Sequence, residues 1–298
     1  MSDPLTEVVQ LLQPRAVLAN VISGKGGWAV RYSEYGHPGF CIMLEGRCLL
    51  AVDGHEPITL CEGDFVLLPT TPGFTLSSFV PAPPVFIDPK TVPGGQGERR
   101  HGDPVGAPDM RSLGGAFMFD RAGPGLLVSM LPRVVHVQGS ARLAQLVQMV
   151  GDEYEAQRPG SEYMLSRLAG MLLIEAMREA AAGSAPPGLL RGLGDERLAL
   201  ALQRMHAQVD RAWTVAELAG AAALSRSAFY ERFTRAVGVA PMDYLLRWRM
   251  ELAKPLLRHE GLPVSVVAER VGYGSASTFS VAFSRHVGES PSRYARSD

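Results

Sequence analysis

Residues 225–244 read SRSAFYERFTRAVGVAPMDY, and residues 275–294 read SASTFSVAFSRHVGESPSRY. The two stretches share nine residues in one register, each pair 50 positions apart. In the first copy these are Ser225, Ser227, Phe229, Phe233, Arg235, Val237, Gly238, Pro241 and Tyr244. In the second copy they are Ser275, Ser277, Phe279, Phe283, Arg285, Val287, Gly288, Pro291 and Tyr294. Such an internal repeat predicts two copies of one structural unit.

Each copy has the pattern of one short helix with a single apolar face. The first serine is a preferred N-cap residue, and two phenylalanines four residues apart lie on the same face of a helix. The glycine after the valine is expected to end the helix, because glycine readily adopts the left-handed conformation found there.

A further helix is predicted before each of these. Thr214 and Glu217 fit a capping box, and the small residues 220–224 suit a tight turn. The second copy repeats the plan, with a helix over Val264–Val271 and a turn at 272–274. One such match fits any amphipathic helix pair, but two in register predict a tandem helix-turn-helix.

The segment Met242–Arg258 is predicted to be a helix that links the two units. At about 1.5 Å per residue it spans roughly 25 Å, which can hold two reading helices about one DNA turn, ~34 Å, apart. Pro255 removes a backbone hydrogen bond to Glu251 and is expected to kink or shorten this helix. The angle between the two units is therefore left open.

Charge is unevenly distributed along the chain. The 298 residues carry 29 basic and 30 acidic side chains, a formal net charge of -1. Residues 190–298 carry 15 basic and 11 acidic side chains, so this part is basic and the remainder acidic. A mildly basic domain suits contact with the phosphates of DNA, and His206, His259 and His286 are expected to add to its positive face.

The stretches SRSAFYERFTRAVGVAPMDYLLRWRM and VGYGSASTFSVAFSRHVGESPSRYAR resemble the tandem helix-turn-helix domain of AraC/XylS-type bacterial transcription regulators. The resemblance covers residues 195–298 and implies that the two reading helices enter adjacent segments of the major groove. By position, the base-facing residues of the first helix are Ser227, Tyr230, Glu231 and Thr234, with Arg226, Arg232 and Arg235 nearer the phosphates. In the second helix, Ser277, Thr278, Ser280, Val281 and Ser284 face the bases, and Arg285 lies near the backbone.

Val281 departs from the family, whose members often carry arginine at this position. The valine cannot make the bidentate contact to guanine that arginine makes. The second unit is therefore expected to read a thymine methyl group or to contribute mainly phosphate contacts, so that sequence selectivity rests on the first unit.

Residues 17–80 have the pattern of an antiparallel β domain, with glycine-containing turns between short strands. Strands are predicted at Trp28–Tyr32, Phe40–Leu44, Arg47–Val52, Ile58–Leu60 and Phe65–Leu68. The segment 80–109 is rich in proline and glycine and predicts a long surface loop. Further strands are predicted at Gly115–Phe119 and Gly125–Leu131.

Two amphipathic helices are predicted next, at Ala141–Tyr154 and Ser161–Ala181. They either pack on their own β domain or form a dimerisation pair. The proline- and glycine-containing segment that follows is typical of an interdomain linker.

The stretch FCIMLEGRCLLAVDGHEPITLCEGDFVLLPTTPGFTL resembles the small β-barrel of the cupin superfamily. With GGAFMFD, LLVSMLP and the two helices, it resembles the cupin-type sensory domain of one AraC-like subgroup. Cupin enzymes bind a metal through histidines and a glutamate, but here the corresponding histidine positions hold Phe40, Ile42 and Phe74. We therefore expect no metal and no cofactor.

The barrel is interpreted as a dry pocket for a small molecule, although alternating apolar residues in a small barrel also fit an ordinary core. The candidate effector-binding residues are Trp28, Arg31, His37, Phe40, Ile42 and Phe74. The three cysteines, Cys41, Cys48 and Cys61, are expected to be buried thiols in a reducing cytoplasm. The longest uncharged stretch, Phe65–Ile87, contains five prolines and is not expected to cross a membrane.

The fold class expected from these patterns is α+β. A cupin-like β-barrel with a helical hairpin precedes an all-α tandem helix-turn-helix domain. The predicted divisions are a regulatory domain at 1–139, a helical brace or dimerisation segment at 140–182, a linker at 183–194 and a DNA-binding domain at 195–298.

The function expected is that of a cytoplasmic transcription regulator without catalytic residues. Its expected partners are promoter DNA, RNA polymerase, a small-molecule effector and a second copy of the chain. Two alternatives are kept: a metal-dependent cupin enzyme with an accessory helical domain, and a ligand-free regulator whose barrel serves only for dimerisation.

Overall fold

The computed structural model describes residues 3–91, 97–119, 131–182 and 187–296. Its contacts divide the chain into two compact units. The barrel unit comprises Pro14–Met118 and Leu131–Glu179, and the helical unit includes Met1–Gln13 and Ala180–Asp298. No helix within the described ranges is long and apolar enough to cross a membrane.

The barrel unit is built on one strongly curled sheet. Its strands are β1 (Pro14–Lys25), β2 (Ala29–Tyr32), β3 (Gly39–Val52), β4 (Ile58–Cys61), β5 (Phe65–Leu68), β6 (Phe74–Ser77), β7 (Pro84–Ile87), β8 (Glu98–Gly102), β9 (Met110–Phe119) and β10 (Val135–Val137). The main path runs β7-β2-β6-β3-β9-β1-β8, and β10 pairs with β5. The long strand β3 organises the sheet, because it pairs with β4, β5, β6 and β9 along its length.

The helices are numbered in chain order. They are α1 (Pro4–Leu12), α2 (Ala141–Ala156), α3 (Ser161–Ala182), α4 (Leu189–Leu193), α5 (Glu196–Ala207), α6 (Val215–Ala221), α7 (Arg226–Val237), α8 (Pro241–Arg258), α9 (Val264–Arg270), α10 (Ala276–Val287) and α11 (Pro291–Tyr294). The helices α2 and α3 belong to the barrel unit, except for the last residues of α3. The short helix α4 lies within the segment that the sequence assigns to the linker, of which 183–186 fall outside the described residues.

Two expectations for the barrel unit are wrong. The segment 80–109 is not a continuous loop, because β7 pairs in parallel with β2 and β8 pairs in parallel with β1. These pairings join segments that are distant in sequence, so the local composition of 80–109 cannot predict them.

The second wrong expectation is that all three cysteines are buried. Cys48 is buried, but Cys61 is exposed. The strand predicted at Gly125–Leu131 lies outside the described residues, apart from Leu131.

The tandem helix-turn-helix prediction is confirmed in the helical unit. Helices α6 and α7 form the first unit, α9 and α10 form the second, and α8 connects them. The aromatic contacts repeat as the sequence does. The rings of Phe229 and Phe233 are 5.5 Å apart at 50°, and those of Phe279 and Phe283 have the same separation and angle.

The connecting helix α8 continues through Pro255 to Arg258, so the proline does not shorten it. The backbone N–H of His259 still donates to the carbonyl of Pro255, at 2.9 Å. Of the two expected effects of Pro255, shortening is therefore wrong, because helical hydrogen bonding continues after the proline. The expected kink stays a prediction.

Helix α1 belongs to the helical unit, although the sequence groups it with the β domain. It packs against α5, and its Glu7 carboxylate lies 3.2 Å from Nδ1 of His206. His206 also contacts the Tyr244 hydroxyl at 2.6 Å and stacks on Trp248. Burial lowers the pKa of His206, although Glu7 opposes this, so the expected contribution of His206 to a positive surface is wrong.

A half-buried arginine of α8 links the two helix-turn-helix units. Arg249 of α8 donates hydrogen bonds to the carbonyls of Val209 and Arg211, in the segment that leads from α5 into the first unit. Its guanidinium also lies 5.8 Å from the ring centre of Tyr273, in the turn of the second unit. We call this arrangement the Arg249 bridge.

Gly272 lies beside the Arg249 bridge, with a positive φ of 79°. A Cβ at this position would stand 2.5 Å from the carbonyl oxygen of Asp210 and 2.6 Å from Nη2 of Arg249. The turn therefore needs glycine for two reasons, the left-handed conformation and the close approach of the other unit.

Substituting Gly272→Ala is expected to lower the free energy of unfolding by about 2–4 kcal/mol, because backbone strain and steric overlap add. The matched control is Gly261→Ala, where φ is 60° but no atom lies within 4 Å of the new Cβ. Gly261→Ala is expected to lower the free energy of unfolding by about 1 kcal/mol, because only the left-handed backbone conformation is strained there. Scanning calorimetry of the full-length variants measures both, and equal losses would show that the contact between the units contributes nothing.

Candidate nucleic-acid interface and barrel cavity

The first reading helix, α7, is fixed by its cap and by its apolar face. The Ser225 hydroxyl accepts a hydrogen bond from the N–H of Ala228, and Gly238 ends the helix at a φ of 82°. Phe229 and Phe233 are fully buried against the helical unit. These contacts leave the opposite face of α7 at the surface.

The predicted base-facing residues of α7 do not all reach the surface equally. Ser227, Tyr230 and Glu231 are exposed, and Tyr230 keeps 47% of its surface accessible. Thr234 is half-buried, and its hydroxyl oxygen is inaccessible to solvent. Of the four predicted base-facing residues of α7, the serine, the tyrosine and the glutamate are therefore the exposed ones.

The predicted phosphate-facing arginines of α7 also differ. The Nε of Arg232 donates to the Asp195 carboxylate at 2.6 Å, so this guanidinium is held by the N-cap residue of α5. Although partial burial opposes it, this hydrogen bond keeps the pKa of Asp195 below its usual value. Arg226 and Arg235 are exposed and form no ion pair with any residue in the described ranges.

The second reading helix, α10, presents a nearly uncharged surface. The Ser275 hydroxyl contacts those of Ser277 at 3.0 Å and Thr278 at 2.8 Å, and the Ser280 hydroxyl donates to the Ala276 carbonyl at 2.7 Å. Val281 projects from the helix, with 71% of its surface exposed. Ser284 is half-buried, and Arg285 is exposed near the end of the helix.

The barrel unit contains a cavity of about 250 Å³. Residues of eight strands line it, and most are apolar, including Leu50, Val66, Leu68, Leu76 and Phe74. The ring of Tyr32 stacks on Phe74 with centroids 4.8 Å apart. We call this space the barrel cavity.

The structure places two of the six candidate effector residues, Phe40 and Phe74, in the lining of the barrel cavity. The Phe40 ring packs on Phe65 and Phe117. Ile42 is fully buried, and Trp28 lies in the apolar core.

The two polar candidates lie at the surface. The terminal nitrogens Nη1 and Nη2 of Arg31 donate to the Asp53 carboxylate, and His37 is exposed beside Tyr35. Neither is among the residues that line the barrel cavity.

Sequence reasoning missed a row of small residues in the cavity wall. Ser112, Gly114 and Ala116 alternate along β9, so they share the face that the cavity occupies. Gly114 pairs with Cys41 of β3, which also lines the cavity. The sequence does contain a signal for this wall. In the stretch SLGGAF, small residues stand at every second position, as expected for one face of a strand that borders a cavity.

No group of three or more histidine, cysteine or acidic residues suited to a metal ion occurs in the described part of the chain. The buried thiols are also poorly suited to ionise. Burial raises the pKa of Cys41 to about 11 and raises that of Cys48 still further.

Comparisons with known proteins agree with both units. The family described as a cupin matches residues 3–182, and the family described as a helix-turn-helix domain matches residues 218–297. An AraC-like transcription regulator of Streptomyces antibioticus is 39% identical over 299 residues, which cover 98% of each chain. A similarly named protein of Streptomyces lividans is 38% identical, covering 98% of this chain and 97% of the other.

A helix-turn-helix-type transcriptional regulator of Haemophilus influenzae is 27% identical over 99% of both chains. These relatives match the whole chain, including the barrel unit and both reading helices. The chain therefore belongs to the AraC-type DNA-binding transcription regulators and carries a cupin domain before its helix-turn-helix domain.

Proposed function

We propose that this regulator reads two adjacent segments of promoter DNA with α7 and α10, under the control of a small molecule held in the barrel. Sensing is assigned to residues 14–139 and DNA binding to 195–298 together with α1. Residues 140–182 brace the barrel or join two copies of the chain.

The Arg249 bridge is the observation that carries this proposal. Two reading helices can bind neighbouring parts of one groove only if their separation and orientation are held constant. Arg249 contacts backbone atoms of the segment leading into the first unit and an aromatic ring of the second unit, and Gly272 lets this segment approach the second unit closely. The tandem units are thus suited to act as one reader.

The two helices have different proposed roles. On α7, Tyr230 and Glu231 supply polar groups for base edges, while Arg226 and Arg235 neutralise phosphates. On α10, Val281 offers only apolar contact, and Arg285 is the cation available for the backbone. Sequence selectivity is therefore assigned mainly to α7.

The barrel is proposed to control the regulator by changing the populations of two conformations of the protein. An effector that binds one conformation more tightly favours it, and so changes promoter affinity or contact with RNA polymerase. Dimerisation is part of the proposal, since Met164 and Met171 are exposed two helical turns apart on α3. Promoter DNA as the partner places the protein in the bacterial cytoplasm.

Selection from a random duplex library with the full-length protein tests the proposal directly. Two enriched segments about 10 base pairs apart are expected, because the two units face successive turns of DNA, and the segment that faces α10 is expected to be the more weakly enriched. A single enriched segment, or none with either free or effector-loaded protein, would contradict a two-unit reader.

The selected duplex allows the two kinds of contact on α7 to be separated. Arg235→Ala is expected to weaken binding to all sequences and to reduce the slope of log affinity against log salt by about 1, since one phosphate contact is lost. Tyr230→Ala is expected to change the preferred bases, with a discrimination loss of about 1–3 kcal/mol.

The control for both variants is Arg133→Ala, which removes an exposed arginine of the barrel unit. It is expected to leave DNA affinity and salt dependence unchanged. If Arg235→Ala and Tyr230→Ala both lowered affinity evenly across sequences, the assignment of base-reading positions would be wrong.

The role of Val281 generates a gain-of-contact prediction. Val281→Arg is expected to create a preference for guanine at one position of the second segment and to increase the salt slope by about 1. Val281→Leu keeps an apolar side chain and is expected to do neither. Repeating the library selection with both variants measures this, and unchanged preferences for Val281→Arg would place α10 away from the base edges.

A further inference from the structure

The apolar wall of the barrel cavity limits what it can hold. Its lining side chains are mainly aliphatic and aromatic, and the stacked pair of Tyr32 and Phe74 offers a flat surface. A polar ligand would lose its hydrogen bonds with water here without regaining them, at a cost of several kcal/mol. The wall therefore favours an apolar molecule.

Ser112 provides a polar contact in this wall. The side chain is fully buried, and within the described residues its hydroxyl contacts only the Cys41 thiol, a weak hydrogen-bonding group. Buried hydroxyls are normally satisfied, so this one has capacity for a hydrogen bond with a bound molecule. The Thr71 hydroxyl is different, because it already contacts the carbonyls of His37 and Leu68.

Apart from Arg99, the polar side chains among the described lining residues are neutral. Burial raises the pKa of Cys41 to about 11 and that of Tyr32 to about 12, so both stay protonated at neutral pH. Arg99 reaches the lining but already interacts within the chain. A cationic ligand would therefore meet no opposite charge among the described lining residues. An anionic ligand would meet only the Arg99 guanidinium, which already interacts within the chain, in an otherwise apolar space.

The size of the cavity sets the size of the ligand. A cavity of roughly 150 Å³ lined by apolar side chains is enough to bind benzene. The barrel cavity, at about 250 Å³, has room for a second fused ring or a short alkyl substituent.

We infer that the barrel cavity binds a neutral, mainly apolar molecule about the size of a fused two-ring aromatic, with one polar group directed to Ser112. This inference rests on the proposed function, because it specifies the effector that the barrel would sense. It excludes sugars and ionised acids as ligands of this cavity.

Gly114 provides a way to fill the cavity without disturbing the fold. An added Cβ would meet only the Phe40 carbonyl oxygen, at an ordinary 3.8 Å. A leucine side chain at this position would extend over the same face of β9 as Ser112 and Ala116. Gly114→Leu is therefore expected to occupy the ligand's space, whereas Gly115→Leu would collide with the Phe40 ring.

The test uses the full-length protein and calorimetric titration with indole, quinoline and 2-naphthol as neutral two-ring probes. Indole-3-acetate and glucose serve as the ionised and sugar probes. At least one neutral probe is expected to bind, and the ionised and sugar probes are not. Gly114→Leu is expected to abolish binding, and Ser112→Ala to weaken it about fivefold through loss of one hydrogen bond.

Gly170→Leu is the matched control, because a Cβ there meets no atom within 4 Å on α3. It is expected to bind the probes like the unaltered protein. Far-ultraviolet circular dichroism verifies that Gly114→Leu is folded, and if it is not, Ser112→Ala and Ser112→Leu replace it as the affinity and filling variants. Binding of glucose or indole-3-acetate in place of the neutral probes, no binding at all, or equal binding by the filled variant would overturn the inference.

Affinity for the selected DNA, measured with and without the bound probe, separates this inference from the proposed function. A probe that binds in the cavity but leaves DNA affinity and transcription unchanged supports the ligand class and contradicts control by the barrel. Loss of specific DNA binding in all proteins contradicts the two-unit reader and leaves the titration result intact.

Discussion

The Arg249 guanidinium is the contact on which the geometry of the helical unit depends. It is half-buried, and burial lowers its pKa, although Tyr273 and Asp210 favour the charged form. Two backbone carbonyls and the face of Tyr273 replace the water that the charge has lost. A charge so placed is costly to move, which explains how two small helix-turn-helix units joined by one helix can keep a constant separation.

Sequence patterns predicted the helical unit well because its information is local. Caps at Thr214, Ser225 and Ser275 and the paired phenylalanines fix each helix within a few residues of its predicted bounds. The Arg249 bridge escaped notice, since it joins positions about 40 residues apart through backbone carbonyls that any residue would supply. The charge pattern of the sequence also placed His206 at the surface. Its burial depends on the packing of the distant helix α1, which a count of charged residues does not reveal.

The barrel unit was harder to predict, for a related reason. Strands β7 and β8 occur in a proline- and glycine-rich segment and exist through parallel pairing with distant partners. The candidate pocket residues Phe40 and Ile42 came from positions where related enzymes carry metal ligands, whereas the cavity wall depends on the pleat. On the cavity face of β3 and β9, Cys41 pairs with Gly114 and Met43 pairs with Ser112. The small residues of β9 on this face leave room for the barrel cavity.

The helical unit is not continuous in sequence, because helix α1 precedes the barrel unit and the other helices of the helical unit follow it. It belongs to the helical unit, and only Gln13, in a left-handed conformation, separates it from β1, whose Val17 and Ile22 line the barrel cavity. No single cut can therefore separate a complete sensor from a complete reader. A fragment beginning after α3 would lose Val8, Leu11 and Leu12 from its core and would leave His206 without its carboxylate. Such a fragment is therefore expected to be less stable than the same residues in the full-length protein.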